Sequence, residues 1–122
     1  MQVDLYKNIG KLFYALGKVD GTLTLEEYRE LNENLDRYWR HINPESITSI
    51  THTFNELYLG NAEASICFEE FISFYKTHPD LFTKELKSLI LKTANDVAHA
   101  FAKINKSELI LLAKLSIEFE NL

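Results

Sequence analysis

The spacing of apolar residues is the feature that most constrains how this chain can fold. Apolar side chains recur every three or four positions along almost the whole sequence, which gathers them on one face of a helix, and no stretch keeps the alternation of a β-strand. The spacing therefore predicts an all-α fold, a single compact bundle of about six helices, with the fifth and sixth packed against the first. The six predicted faces comprise Leu5, Ile9, Leu12, Phe13 and Leu16; Tyr28, Leu31, Leu35, Trp39 and Ile42; Ile47, Ile50, Phe54, Leu57 and Tyr58; Phe68, Phe71, Ile72 and Tyr75; Leu86, Leu89, Ile90, Ala94, Val97, Ala98 and Phe101; and Leu109, Leu112, Ala113, Ser116 and Phe119.

Residues that favour helix starts stand ahead of four of these faces. A Ser, Thr, Asn or Asp side chain just before a helix accepts a hydrogen bond from a backbone N–H of the first turn, and a Glu three residues later can return one. Proline suits the first helical position because the N–H that it lacks would have no partner there. The predicted starts are Thr24 with Glu27, Asn43 with Pro44, Thr83, and Asn105 with Glu108.

The composition is that of an ordinary globular protein. The 122 residues predict one domain, residues 1–122, and 46% of them are hydrophobic, which is enough to build a core. A net charge of −5 argues against binding to nucleic acid, because proteins that bind it carry a basic surplus that neutralises phosphates. The same charge permits binding to cations and to a basic partner.

Cys67 is the only cysteine, so the chain cannot form an internal disulfide and suits a reducing compartment. We expect Cys67 to be packed as a small apolar residue, with acidic neighbours that raise the pKa of its thiol. Residues 1–10 lack the apolar core of a signal peptide, and the longest apolar run, residues 109–113, is far shorter than a membrane span. These features predict a cytoplasmic protein without membrane insertion.

The sixth apolar stretch, residues 109–119, differs from the others because apolar residues lie on more than one of its faces. Ile110, Leu111 and Leu115 fall outside its main stripe. A helix that is apolar most of the way round is usually buried at the centre of a protein, and we predict central burial for this one. The alternative is a homodimer formed through the 109–119 helix.

The segment "KVDGTLTLEEY", residues 18–28, is the strongest candidate for chemistry. A calcium loop of the EF-hand type has twelve positions, with glycine at the sixth and glutamate at the twelfth. Placing Gly21 at the sixth position puts Asp20 at the fifth and Glu27 at the twelfth. The first and third positions then fall on Leu16 and Lys18, which offer no side-chain oxygen. The segment therefore matches only the second half of such a loop.

Two interpretations of this segment are open. In one, Asp20, Glu26 and Glu27 hold a divalent cation, with a Kd no tighter than about 10⁻⁴ to 10⁻³ M. In the other, Asp20 and Gly21 form a turn, Thr24 and Glu27 cap the next helix, and no ion is involved. We favour the capping interpretation, because the cation would require the same oxygens that the cap uses.

Other candidate sites carry less information. The histidines show no pair with zinc-ligand spacing, and the chain has no glycine-rich phosphate loop and no nucleophile motif, so we predict no enzymatic activity. The stretch "DRYWRH", residues 36–41, combines the arginine and aromatic residues that anchor many binding hot spots. The interpretation that we favour places Trp39 in the core and leaves Arg37 and Arg40 solvated. The four histidines, each expected at the surface or at a helix end, are His41, His52, His78 and His99.

Two stretches carry a resemblance to a known family. The first, "LFYALGKVDGTLTLEEYREL", residues 12–31, combines an apolar helix, a short loop with Asp-Gly and a Ser/Thr-x-x-Glu helix start. The second, "LFTKELKSLILKTANDVAHAFAKINKSELILLAKL", covers residues 81–115. They resemble the first repeat and the closing helices of the TerB-like family, which is named for a tellurite-resistance protein. Residues 43–78 match this family only in being helical.

The resemblance implies a helical bundle that works in the cytoplasm in stress, metal-ion or phage-defence systems. It implies a partner-binding module and not an enzyme. It also implies divalent-cation ligands at two Asp-Gly loops. Asp20 and Glu27 match the first loop, with Glu26 beside them; at the second only Glu108 matches, because Asp-Gly is missing and two lysines occupy the loop.

The leading expectation is therefore a non-enzymatic TerB-like interaction module of a cytoplasmic stress or metal-resistance (tellurite) system. The protein partner is not specified, and no cofactor is expected beyond a weakly bound divalent cation. The alternative is a weak divalent-cation sensor that uses the loop from Asp20 to Glu27.

Overall fold

A computed structural model describes residues 2–19, 21, 23–100 and 106–120 of the chain. These residues contain no β-strand, which confirms the predicted all-α bundle of six helices. A π-helical turn, Leu35–Trp39, extends α2, and a short 3₁₀ turn, Pro79–Leu81, precedes α5. The helices are α1 (Gln2–Lys18), α2 (Leu25–Asn34), α3 (Pro44–Leu59), α4 (Ala64–Thr77), α5 (Lys84–Ala98) and α6 (Lys106–Glu120).

Helix α1 lies at the centre of the bundle. Its most extensive contacts are with α3 and α4, and it also contacts α5 and α6, as predicted. Apolar residues surround most of the helix, which is typical of a buried helix. Gly10 lets α3 approach closely, because a Cβ atom there would lie 3.0 Å from the Ile50 carbonyl oxygen. The buried residues of α1 include Leu5, Tyr6, Ile9, Leu12, Phe13, Tyr14, Ala15 and Leu16.

Two of the predicted helix starts form as expected at α3 and α5. Asn43 Oδ1 accepts a hydrogen bond from the Glu45 N–H at 2.9 Å, and Pro44 follows as the first helical residue. Thr83 Oγ1 accepts one from the Leu86 N–H at 3.1 Å. The predicted start at Asn105 lies outside the described residues.

The π-helical turn at the end of α2 carries Trp39 into the core. The Trp39 Nε1–H donates a hydrogen bond to Thr93 Oγ1 of α5 at 3.0 Å, and its ring meets Phe13 of α1 edge-on, with 6.0 Å between centroids. Ile42, predicted to share this buried face, is exposed instead. Residues 40–42 form a turn in which helical spacing no longer applies, so the prediction for Ile42 was wrong.

A cluster of aromatic rings connects α4 and α6 through the segment that precedes α5. Phe82, in the short connection before α5, has its ring centroid 4.9 Å from Tyr75, 5.9 Å from Phe71 and 6.2 Å from Phe74. It also lies 6.3 Å from Phe119 of α6. The edge-on and tilted arrangements are those that aromatic pairs prefer. This cluster holds the second half of the bundle together.

Helix α6 is not buried at the centre, so that prediction was wrong. It packs mainly on α5 and also contacts α1. Leu112 and Phe119 of the predicted stripe are buried, together with Leu111 and Leu115, which that stripe omitted, whereas Leu109 and Ala113 face outward. Two apolar stripes on one helix have the same spacing, and only packing against α5 decides which of them is buried.

Candidate functional site

The connection between α1 and α2 has the turn and the helix cap that the sequence predicts. Gly21 adopts φ +92°, a left-handed conformation that favours glycine, and its N–H donates to the Lys18 carbonyl at 2.7 Å. Thr24 Oγ1 accepts a hydrogen bond from the Glu27 N–H at 3.1 Å. Glu27 Oε1 accepts in return from the Thr24 N–H and from its hydroxyl, each at 2.9 Å. The capping box of α2 is therefore complete.

Two of the three predicted cation ligands lie in the described part of the chain, and their surroundings differ. Asp20 lies outside the described residues. The Glu26 side chain is exposed on the first turn of α2, whereas Glu27 is buried and one of its carboxylate oxygens serves the cap. Within the described part of the chain, no three His, Cys, Asp or Glu side chains group together as metal ligands. Glu108, the residue matching the second family loop, is buried at the start of α6.

We expect the replacement of Thr24 by alanine to lower the free energy of unfolding by about 1 kcal/mol, because the side-chain acceptor of the N-cap is lost. Urea denaturation of both proteins measures the difference. Thr48→Ala is the matched control: Thr48 is exposed within α3 and should change stability by less than about 0.5 kcal/mol. An unchanged midpoint for Thr24→Ala would show that the cap contributes nothing to stability.

A groove lies beside this cap, between the start of α2 and the last turns of α3. It encloses a cavity of about 410 Å³. The Tyr28 hydroxyl donates to Asn55 Oδ1 at 3.3 Å, and the Tyr28 ring lies 5.7 Å from the buried ring of Phe54, so α2 and α3 are joined along the groove. Its lining residues are Leu23, Thr24, Leu25, Tyr28, Asn55 and Tyr58.

Large apolar side chains are exposed at and beside this groove. Leu25 on the α2 side is 58% exposed, and Tyr58 on the α3 side is 56% exposed. Leu59, the last residue of α3, is 84% exposed. Two acidic residues are exposed on the same helix ends: Glu26 follows Leu25, and Glu56 lies two residues before Tyr58. The groove itself is lined by apolar and uncharged polar side chains.

The spacing of apolar residues does not indicate this groove. It assigned Tyr58 to the buried face of α3, and that assignment was wrong: Tyr58 lies in the last turn, and its ring lines the groove. The sequence does contain one signal. Adjacent apolar residues such as Tyr58 and Leu59 lie about 100° apart on a helix, so they cannot both face one neighbour fully.

The other candidate residues of the sequence either pack inside the protein or lie at its surface. Trp39 is buried, whereas Arg37 and Arg40 are exposed, as predicted, and Arg40 forms an ion pair with Asp36. Tyr38 packs against Lys92 of α5, whose ammonium lies 4.6 Å from the ring centroid. The four histidines lie at the surface or at helix ends, also as predicted: His41 and His52 are exposed, and His78 and His99 follow the last residues of α4 and α5.

Cys67 is buried in α4, which confirms its assignment to the core. Burial raises the pKa of its thiol, the nearby carboxylate of Glu70 raises it further, and the Lys11 ammonium lowers it. Lys11 and Glu70 form an ion pair of 3.3 Å. A thiol in these surroundings stays protonated and is a poor nucleophile.

The comparisons with known proteins found no relative of this chain. No family model, curated protein or solved structure significantly matches the chain. Among the helices in the described ranges, none has the length and apolar character that crossing a bilayer requires. The TerB-like resemblance therefore remains a prediction from the sequence.

Proposed function

We propose that this chain is a non-enzymatic TerB-like interaction module of a cytoplasmic stress or metal-resistance (tellurite) system, and that a protein partner binds in the groove between α2 and α3. The observation that carries the proposal is the exposure of Leu25, Tyr58 and Leu59 at and beside a cavity of about 410 Å³. Exposed apolar residues that cluster around a concave surface mark interaction sites, and tyrosine is enriched among the residues that dominate binding energy.

The charges beside the groove favour a basic partner. Glu56 lies in the last turn of α3, which contains no basic residue. The carbonyl groups at a helix C-terminus carry partial negative charge, so a carboxylate such as Glu56 is unfavourable there, and the basic side chain beside it is His52, whose Nε2 lies 3.4 Å from Glu56 Oε1. Glu26, in the first turn of α2, is a second exposed carboxylate, and the net charge of the chain is −5. An apolar segment flanked by lysine or arginine residues would match the apolar lining of the groove and the acidic charge of the chain.

The test combines capture of a partner with groove variants. The tagged chain is used to isolate a partner from the host, and the affinity of the purified partner is then measured. We expect Leu25→Ala and Tyr58→Ala each to weaken binding by at least about tenfold, which corresponds to about 1.4 kcal/mol. Ile42→Ala is the matched control, because Ile42 is an exposed apolar residue that does not line the groove.

Two outcomes would contradict this proposal. If the groove variants bind the partner as tightly as the native chain, the groove is not the binding site. If no partner is recovered in repeated captures, the chain does not act as an interaction module. Loss of tellurite resistance in the host on deletion, restored by the native chain but not by Tyr58→Ala, would support the proposed physiological role.

The alternative function is a weak divalent-cation sensor, and one observation favours it. Gly21 has the turn conformation that the middle of a calcium loop requires, and the Glu26 carboxylate nearby is exposed. Because Glu27 already serves the cap, we expect calorimetry to show a Kd no tighter than about 10⁻⁴ M for calcium. A micromolar Kd that is lost in Asp20→Ala would make the sensor the leading function.

A further inference from the structure

Helix α6 carries an apolar stripe on the side that faces away from the core. Leu109, Ile110 and Ile117 are 48%, 46% and 56% exposed, and the Ala113 side chain between them is exposed as well. At about 100° per residue, Ala113 lies about 160° away from the buried Leu111 and Leu115 side of the helix. A surface helix normally presents polar residues in that direction. The outward stripe therefore needs an explanation beyond the folding of one chain.

The two ends of this stripe carry opposite charges. Lys106 lies about two turns before Ala113, and Glu120 lies about two turns after it, so both fall on the outward side, where both are exposed. Each charge is unfavourable in its own helix, because the positive pole of the helix dipole is at the N-terminus beside Lys106 and the negative pole is beside Glu120. An antiparallel helix packed alongside would place its negative pole beside Lys106 and its positive pole beside Glu120, so both charges would become favourable.

A second copy of this chain has the required pattern. If two α6 helices cross antiparallel with a twofold axis at Ala113, Leu109 lies opposite Ile117 of the partner subunit. Lys106 then lies opposite Glu120 of the partner subunit, and each meets the favourable pole of the other helix. The small side chain of Ala113 permits close approach at the crossing point. A parallel arrangement would instead place like charges together at both ends.

We propose that two copies of this chain form an antiparallel homodimer through the outward stripe of α6, defined by Leu109, Ile110, Ala113 and Ile117. The proposal goes beyond the function proposed above, because the dimer uses a different surface from the groove. One helix per subunit makes a small interface, of the size found in weak and transient complexes. We therefore expect a dissociation constant in the micromolar range, on the order of 10⁻⁶ to 10⁻⁴ M.

Sedimentation equilibrium of the full chain between about 1 μM and 1 mM tests the proposal. The native chain should shift from monomer to dimer across this range. Ile117→Ser should weaken the dimer at least tenfold, and Ala113→Lys, which places two ammonium groups at the twofold axis, should abolish it. Ile66→Ser is the matched control: Ile66 of α4 is 55% exposed and lies outside the stripe, so this variant should dimerise normally.

Exchange of the end charges tests the orientation. Lys106→Glu and Glu120→Lys should each weaken the dimer, because each creates like-charge pairs, and the double variant should restore it. In a parallel dimer, like charges face each other both before and after a single exchange, so the dimer affinity would change little. The changed residues are exposed in the monomer, so circular dichroism should show that every variant keeps its helices.

A chain that stays monomeric at 1 mM overturns the proposal, whatever else binds the stripe. If the dimer persists in Ile117→Ser and Ala113→Lys, the proposed surface is wrong. If the single charge exchanges leave the dimer affinity unchanged, the antiparallel pairing is wrong. Leu25→Ala and Tyr58→Ala should still dimerise. Failure of the dimer would therefore leave partner binding in the groove untouched, and failure of groove binding would leave the dimer.

Discussion

Replacement of Trp39 by alanine is expected to lower the free energy of unfolding by about 3–5 kcal/mol, the range for removal of a large aromatic side chain from a core. Trp39 is completely buried, contacts Phe13 of α1 and donates a hydrogen bond to Thr93 of α5. The variant would leave a cavity and remove the indole N–H that donates to the Thr93 hydroxyl. Because domains of this size are stable by only about 5–15 kcal/mol, the change should be obvious in chemical denaturation.

Two further variants separate the contributions at Trp39. Trp39→Phe keeps most of the apolar contacts but removes the indole N–H, so it should cost less than Trp39→Ala and more than a surface change. Leu59→Ala is the surface control, because this exposed apolar side chain should contribute less than about 0.5 kcal/mol. A loss below about 1 kcal/mol for Trp39→Ala would mean that α2, α1 and α5 do not meet around the indole.

Replacement of Phe82 by alanine is expected to have a similarly large effect, about 3–5 kcal/mol. Phe82 lies outside the helices, yet its ring is buried among those of Phe71, Phe74, Tyr75 and Phe119. Its loss removes edge-on ring contacts as well as buried area, and such ring pairs add about 0.5–1.5 kcal/mol each beyond burial.

Hydrogen exchange can show which helices Phe82→Ala destabilises. Because Phe82 joins α4 to α6, we expect the amides of α6 to exchange faster in this variant, by a larger factor than those of α3. Phe82→Leu, which keeps much of the apolar volume but loses the ring pairs, is the matched comparison and should cost less than Phe82→Ala. Equal acceleration throughout the chain would show that Phe82 supports only global stability. Unchanged exchange in α6 would mean that the aromatic cluster does not hold this helix.

Local features of this protein follow from residues that are close in sequence. Thr24 and Glu27 form their capping box, and Asn43 and Thr83 start their helices, because each uses hydrogen bonds that span three residues or fewer. The buried faces of α1 and α4 agree with the predicted spacing. In both helices a charged residue lies opposite the apolar side, Lys7 in α1 and Glu70 in α4, so only one side is suited to burial.

The groove and the orientation of α6 depend on contacts between residues far apart in sequence. Helical spacing alone cannot choose between the two apolar stripes of α6, because both satisfy the same period and only packing on α5 buries one of them. In the same way, the groove lies where Tyr28 of α2 meets Asn55 of α3, and the Trp39 indole N–H finds its acceptor in Thr93 of α5, which is 54 residues away in the chain. Sequence spacing describes which side of a helix is apolar, whereas the energy of burial depends on the surface that another helix brings to it. The helices and their starts could therefore be predicted from the chain, and the surfaces that carry the proposed function could not.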